Sequence, residues 1–152
     1  MGIGKMSLAI LLLWGLWPGT AGAETTPQAT FTRYVQSVIH KDIKAFAGTV
    51  TLAEAFHYLD SRGRWTDSRR EYLDAHRRWF EEAGWEIGYE TPIIVERGDA
   101  AYAMAVFHYR ETGKDGEGAR LDGYFTLILF KENGEWRVVA DIVTPIALKP
   151  SS

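Results

Sequence analysis

The sequence predicts an α+β domain in which a strongly bent antiparallel sheet wraps around N-terminal helices. Three observations predict it. Apolar residues recur at helical spacing in two early runs, from Phe31 and from Tyr72. From Trp85 the period changes to two, as in half-buried strands. Near the C-terminus, Asn133-Gly134 separates two β-rich runs, and that dipeptide suits a two-residue turn in which both central residues take φ > 0.

Of the 152 residues, the first 23 read as an export signal rather than as part of the domain. Lys5 supplies a basic start, Met6–Trp17 an apolar run, and Pro18–Ala23 a small-residue cleavage region. The apolar run is shorter than the roughly 20 residues that a membrane span requires. The domain is expected over 24–146, with 147–152 as a loose tail. Thr26-Pro27 opens the first helix as N-cap and first residue, and its stripe of Phe31, Tyr34, Val35, Val38, Ile39 and Phe46 runs to a stop near Gly48. Thr49–Ala55 is ambiguous between loop and a short second helix. Phe56–Asp60 reads as a strand turned by Ser61-Arg62-Gly63.

Ser68-Arg69-Arg70-Glu71 is a capping-box pattern that starts a second strong helix, striped by Tyr72, His76, Trp79, Phe80 and Ala83 and stopped by Gly84. Trp85–Glu96 alternates as one strand with a wet face, and Pro92 places it at an edge or a bulge. Arg97-Gly98-Asp99 turns into Ala100–Arg110, apolar on both faces and therefore central. Glu111–Gly118 is a polar loop, and the hairpin Leu121–Pro145 closes the domain.

Composition excludes several classes of function. The net charge is −3 and no basic block occurs, which argues against nucleic acid as a partner. Cysteine is absent, so a disulfide framework, a thiol nucleophile and a Cys-based zinc site are ruled out. No two of the four histidines stand four apart on one helix, and no metal site or cofactor is expected.

A turn at Asn133-Gly134 sets a simple register. Leu129 then faces Val138, Leu127 faces Ala140 and Phe125 faces Ile142 on one apolar face. The other face pairs Ile128 with Val139, Thr126 with Asp141 and Tyr124 with Val143. A core on the first face and a pocket on the second are the expectation. Asp141, flanked by hydroxyls in apolar surroundings, would have a raised pKa and serve as acid, base or ligand anchor; the plainer reading is a structural Thr–Asp hydrogen bond or a pair with Arg137.

Three local patterns, spread over Phe31 to Pro145, carry a resemblance to a known family. They are Arg33-Tyr34-Val35 followed by Asp42-Ile43 and Phe46, then Tyr58–Gly63, then Asn133–Val139 followed by Asp141. Together with the element order they resemble the nuclear transport factor 2-like superfamily, in its SnoaL-like and ketosteroid isomerase-like branches. That resemblance implies a cone-shaped, cystatin-like fold. It implies Tyr34 as an oxyanion-binding tyrosine and Asp60 as a general base. The second oxyanion donor of the isomerase falls on Thr126, a different donor from a neutral carboxylic acid, and Ile142 stands where many SnoaL-like relatives carry a histidine.

The expected site therefore has Asp60, Tyr34 and Asp141 as its chemical groups, with Tyr58, Trp79, His108, Tyr124, Thr126, Val139 and Val143 as its wall. Asp60 also has an ordinary reading as an acceptor of backbone N–H groups in its turn, and Tyr34 as a core tyrosine with its hydroxyl satisfied. Three functions fit: an exported module binding a small, mostly apolar or carbonyl-containing molecule; a cofactor-free isomerase, cyclase or hydratase; or a homodimeric assembly module of an envelope complex.

Overall fold

The computed structural model describes residues 26–112 and 118–146. The expected export signal and tail lie outside the described residues.

Three helices and seven strands follow in the order α1 (Pro27–Ile39), α2 (Ile43–Ala47), β1 (Ala55–Leu59), β2 (Trp65–Ser68), α3 (Arg69–Glu81), β3 (Trp85–Tyr89), β4 (Ile93–Arg97), β5 (Ala100–Glu111), β6 (Arg120–Glu132) and β7 (Glu135–Pro145). The strands form one curved, unclosed sheet in the order β2-β1-β7-β6-β5-β3, with β4 also paired to β5. All pairings between named strands are antiparallel except β1 with β7, which is parallel. The fold is therefore the α+β architecture that the helical stripes and the later alternation imply.

Local chemistry explains most of the element ends. The Thr26 and Ser68 hydroxyls accept from the Ala29 and Glu71 N–H groups, capping α1 and α3. The first helix does not run on to Gly48. Lys41 takes φ 55°, and the Asp42 carboxylate caps a separate α2 by accepting from the Ala45 N–H. That break lets Phe46, fully buried, wedge between α1 and α3, with ring centroids 5.0 Å from Tyr34 and 4.6 Å from His76. Trp85–Glu96 is likewise two strands. β3 pairs with the far half of β5 and β4 with its near half, and the chain breaks at Glu90-Thr91-Pro92, where proline lacks a donor.

The core lies on the concave face. Ala101, Ala103 and Ala105 on β5 are small and buried, which lets α1 approach with Phe31, Tyr34, Val35 and Val38. Leu127 and Leu129 on β6 and Val138 on β7 complete that layer. No helix covers the convex face within the described residues, and Tyr102, Tyr124 and Phe130 are exposed there.

The closing hairpin corrects the register expected from its turn. Asn133 and Gly134 do take positive φ, and Glu132 to Leu129 pair with Glu135 to Val138 as expected. Between Leu129 and Ile128 a bulge then inserts one residue into β7, so that Leu127 faces Asp141, Thr126 faces Ile142 and Phe125 faces Val143. A one-residue shift moves every later side chain to the other face. Asp141 thus joins the concave side with Leu127, while Thr126 and Tyr124 belong to the convex side.

Candidate functional site

The cone is incompletely filled. A cavity of about 630 Å³ lies between the concave sheet and α1 and α3, within the size range of small-molecule sites. Its mouth carries Asp60, Arg62, Arg64, Glu82 and Glu111, and its interior is lined by residues such as Val38, Tyr58, Trp79, Ile87, Tyr89, Phe107, Phe125 and Val143, with Tyr34, His76 and Asp141 as the polar groups among them.

Asp141 is 3% exposed, held by the bulge on β7 and aligned with Tyr58 on the parallel strand β1. Its Oδ2 accepts hydrogen bonds from the Tyr34 and Tyr72 hydroxyls, each at 2.9 Å, and those two hydroxyls are 2.7 Å apart. Oδ1 is buried with no hydrogen-bond partner. Burial pushes the carboxyl up to about 6, against the lowering effect of the two phenols. Burial likewise raises both tyrosines well above the ordinary range, so they remain donors. Tyr58 and Tyr89 are raised too, by burial and by the Asp141 charge, and neither hydroxyl has a hydrogen-bond partner among the described residues.

His76 was legible only as part of a helix stripe, and the structure makes it a cavity group. It is 6% exposed, and burial pulls its pKa down to about 4. Its Nδ1 lies 2.9 Å from the Tyr72 carbonyl, which can only accept, so the proton sits on Nδ1. In the neutral ring Nε2 is then a lone-pair acceptor. No periodicity argument could separate it, because the stripe that packs the core is also the stripe that faces the cavity.

Asp60 is organised differently. Its Oδ1 accepts from the Arg62 and Arg64 N–H groups, each at 2.9 Å, and its Oδ2 is 2.6 Å from Arg64 Nε. Those donors hold its carboxyl below the usual range although burial acts the other way. This is a fully bonded turn aspartate at the cavity mouth. Tyr34 reaches the floor, but its hydroxyl is already engaged with Asp141 and Tyr72.

Of the expected wall, Tyr58, Trp79 and Val143 line the cavity. Tyr124, Thr126 and Val139 do not: the first two point to the convex side by alternation with Phe125 and Leu127 on β6, and Val139 is the extra residue of the bulge. His108 also lies off the cavity, on the convex side, where it bonds Asp122 and Glu90 at 3.0 Å each. Core and pocket therefore share one face of the sheet rather than dividing its two faces. Among the described residues no cluster of three His, Asp or Glu side chains is arranged to hold a metal ion.

Known proteins agree with this architecture. Among solved structures, a ketosteroid isomerase-like protein from Erwinia carotovora atroseptica is similar with a TM-score of 0.66 and 19% identity, over 80% of this chain and 94% of that one. A candidate dehydratase of the nuclear transport factor 2-like family from Streptomyces avermitilis is similar with a TM-score of 0.68 and 11% identity, over 80% and 94%. An uncharacterised protein with a cystatin-like fold from Caulobacter vibrioides gives 0.66 and 17%, over 79% and 87%. At these identities the likeness shows the fold alone. No curated protein sequence matches the chain. The family model for the SnoaL-like domain matches residues 28–141, from the first turn of α1 to the floor carboxylate, and the chain belongs to the SnoaL-like domain family.

Proposed function

We propose that this protein is an exported binding module that takes one small, mostly apolar molecule into its cone, with Asp141 as the polar anchor. The observation that carries the reading is the pairing of an open cavity of about 630 Å³ with a floor carboxylate whose Oδ1 has no partner. A buried polar atom left unbonded is costly, and a ligand donor would remove that cost. Aromatic and aliphatic side chains supply the rest of the wall, which favours burial of a hydrophobic body.

A second reading is supported by the same floor. A carboxylate with a pKa near 6, beside the uncommitted hydroxyls of Tyr58 and Tyr89, is suited to move a proton next to a carbonyl without a cofactor. In this reading Asp141 is the base, Tyr34 tunes it, and Asp60 shapes the mouth. The convex face, with Tyr102, Tyr124 and Phe130 exposed, would support a homodimer.

Native mass spectrometry on the protein purified from its host's envelope fraction tests binding directly. The expected result is a non-covalent small-molecule adduct that disappears on denaturation. An apo mass from every preparation, with no uptake from a hydrophobic metabolite extract, would overturn the binding reading.

A further inference from the structure

The charge arrangement of the cavity says more about its occupant than its size does. Among the described residues Asp141 is the only charged side chain at the floor, and the residues acting on its carboxyl are the Tyr34 and Tyr72 hydroxyls, with no cation among them. The cationic side chains lining the cavity, Arg62 and Arg64, are at the mouth, where the Arg64 side chain is 74% exposed and its Nε is committed to Asp60. Buried charges are ordinarily paired, and among the described residues this one has no cation beside it. The other polar groups facing inward are the His76 lone pair and the Tyr58 and Tyr89 hydroxyls. An anionic ligand head would meet a carboxylate and a lone pair, with no buried cation among the described residues to receive it.

The rings around the carboxylate supply the complementary half. Tyr58 is aligned with Asp141 across the parallel strand pair, Tyr34 is bonded to it, and Tyr89 packs edge-on against Phe125 with centroids 5.0 Å apart. Aromatic faces and an unpaired carboxylate both attract an organic cation. We infer that the cavity takes a hydrophobic amine, whose ammonium pairs with the Asp141 carboxylate against the tyrosine rings while its apolar body fills the cone. This rests on the binding reading above and adds the chemistry of the ligand's buried end.

Three indoles of matched shape provide the test, by calorimetric titration of the wild-type protein: tryptamine (an ammonium), tryptophol (a hydroxyl) and indoleacetate (a carboxylate). Tryptamine is expected to bind at least about tenfold more tightly than tryptophol, with indoleacetate weakest. Asp141→Asn should erase the preference for the amine. The wild type gives a second readout that needs no variant. Around pH 5, where Asp141 is protonated in the empty cone, tryptamine binding should release a proton and tryptophol binding should not. The groups facing Asp141 in that experiment are Tyr34 on α1, Tyr58 on β1, Tyr72 and His76 on α3, and Tyr89 on β3. Equal or tighter binding of tryptophol or indoleacetate, or tryptamine binding without proton release, would overturn the amine while leaving the binding pocket in place. Failure of all three to bind would overturn the pocket reading and the amine with it.

Discussion

Asp60 and Asp141 are both nearly inaccessible, at 8% and 3% exposed, yet their surroundings drive their carboxyls in opposite directions. Asp60, at the mouth, receives two backbone N–H groups and a guanidinium, and is held below the ordinary range. Asp141, at the floor, receives two phenols on one oxygen and nothing on the other, and rises to about 6. Burial alone does not set a carboxylate's role; the count and charge of its donors do. One acid is spent on its turn, and the other is left available.

The largest effect expected from this comparison lies in the dependence of stability on pH. Asp141 has a raised folded-state pKa, so its contribution is present below about pH 4 and lost as pH rises through about 6. His76 is depressed to about 4, so its contribution is present above about 6.5 and lost as pH falls toward 4. Each shift corresponds to about 3 kcal/mol, of opposite sign over the same window. In the wild type the two therefore nearly cancel. His76→Gln should expose the Asp141 slope, with stability falling by about 3 kcal/mol between about pH 4 and 7, whereas Asp141→Asn should show the reverse slope. Urea denaturation at a series of pH values measures both, and parallel profiles for the two variants would break the account.

A smaller effect is expected from Tyr72→Phe, which removes one phenol from Asp141 Oδ2. At neutral pH it should cost about 2 kcal/mol and push the Asp141 carboxyl still higher, with the cost shrinking near pH 4 where the acid is neutral. Carbon-detected NMR titration of the carboxyl reads the shift, and a pKa that stays near 6 would show that the phenols do not hold it down. The smallest effect belongs to the mouth. Asp60→Asn keeps an oxygen for the Arg62 and Arg64 N–H groups and loses only the ion pair to an exposed arginine. It should cost about 1 kcal/mol or less, and less still in high salt. A loss as large as that of Tyr72→Phe would mean that Asp60 does more than close its turn.

The sequence made some of this contrast legible and hid the rest for physical reasons. The Asp60 turn was readable because Ser-Arg-Gly after a strand end is a local signal, and its hydrogen bonds are all within four residues. Asn133-Gly134 also spoke locally, and the first four residue pairs of the hairpin followed from it. The bulge did not, because Val138, Val139 and Ala140 are all apolar and carry no glycine or proline to mark an extra residue. From that point Thr126 and Asp141 were assigned the wrong partners. Likewise the stripe through Phe46 concealed the break at Lys41, and β2, only four residues long and ending in the N-cap of α3, gave no strand pattern at all.

The insertion in β7 has a consequence for how the site is held in place. Deleting Val139 would leave Ala140 opposite Ile128 and Asp141 opposite Leu127, so the carboxylate would stay inside. Closing the bulge at unchanged length, with Val139 opposite Ile128, would instead set Ala140 opposite Leu127 and Ile142 opposite Phe125 and rotate Asp141 to the convex surface. The same amino acids thus have two possible interiors, one with a floor carboxylate and one without, and the choice between them is made by register alone.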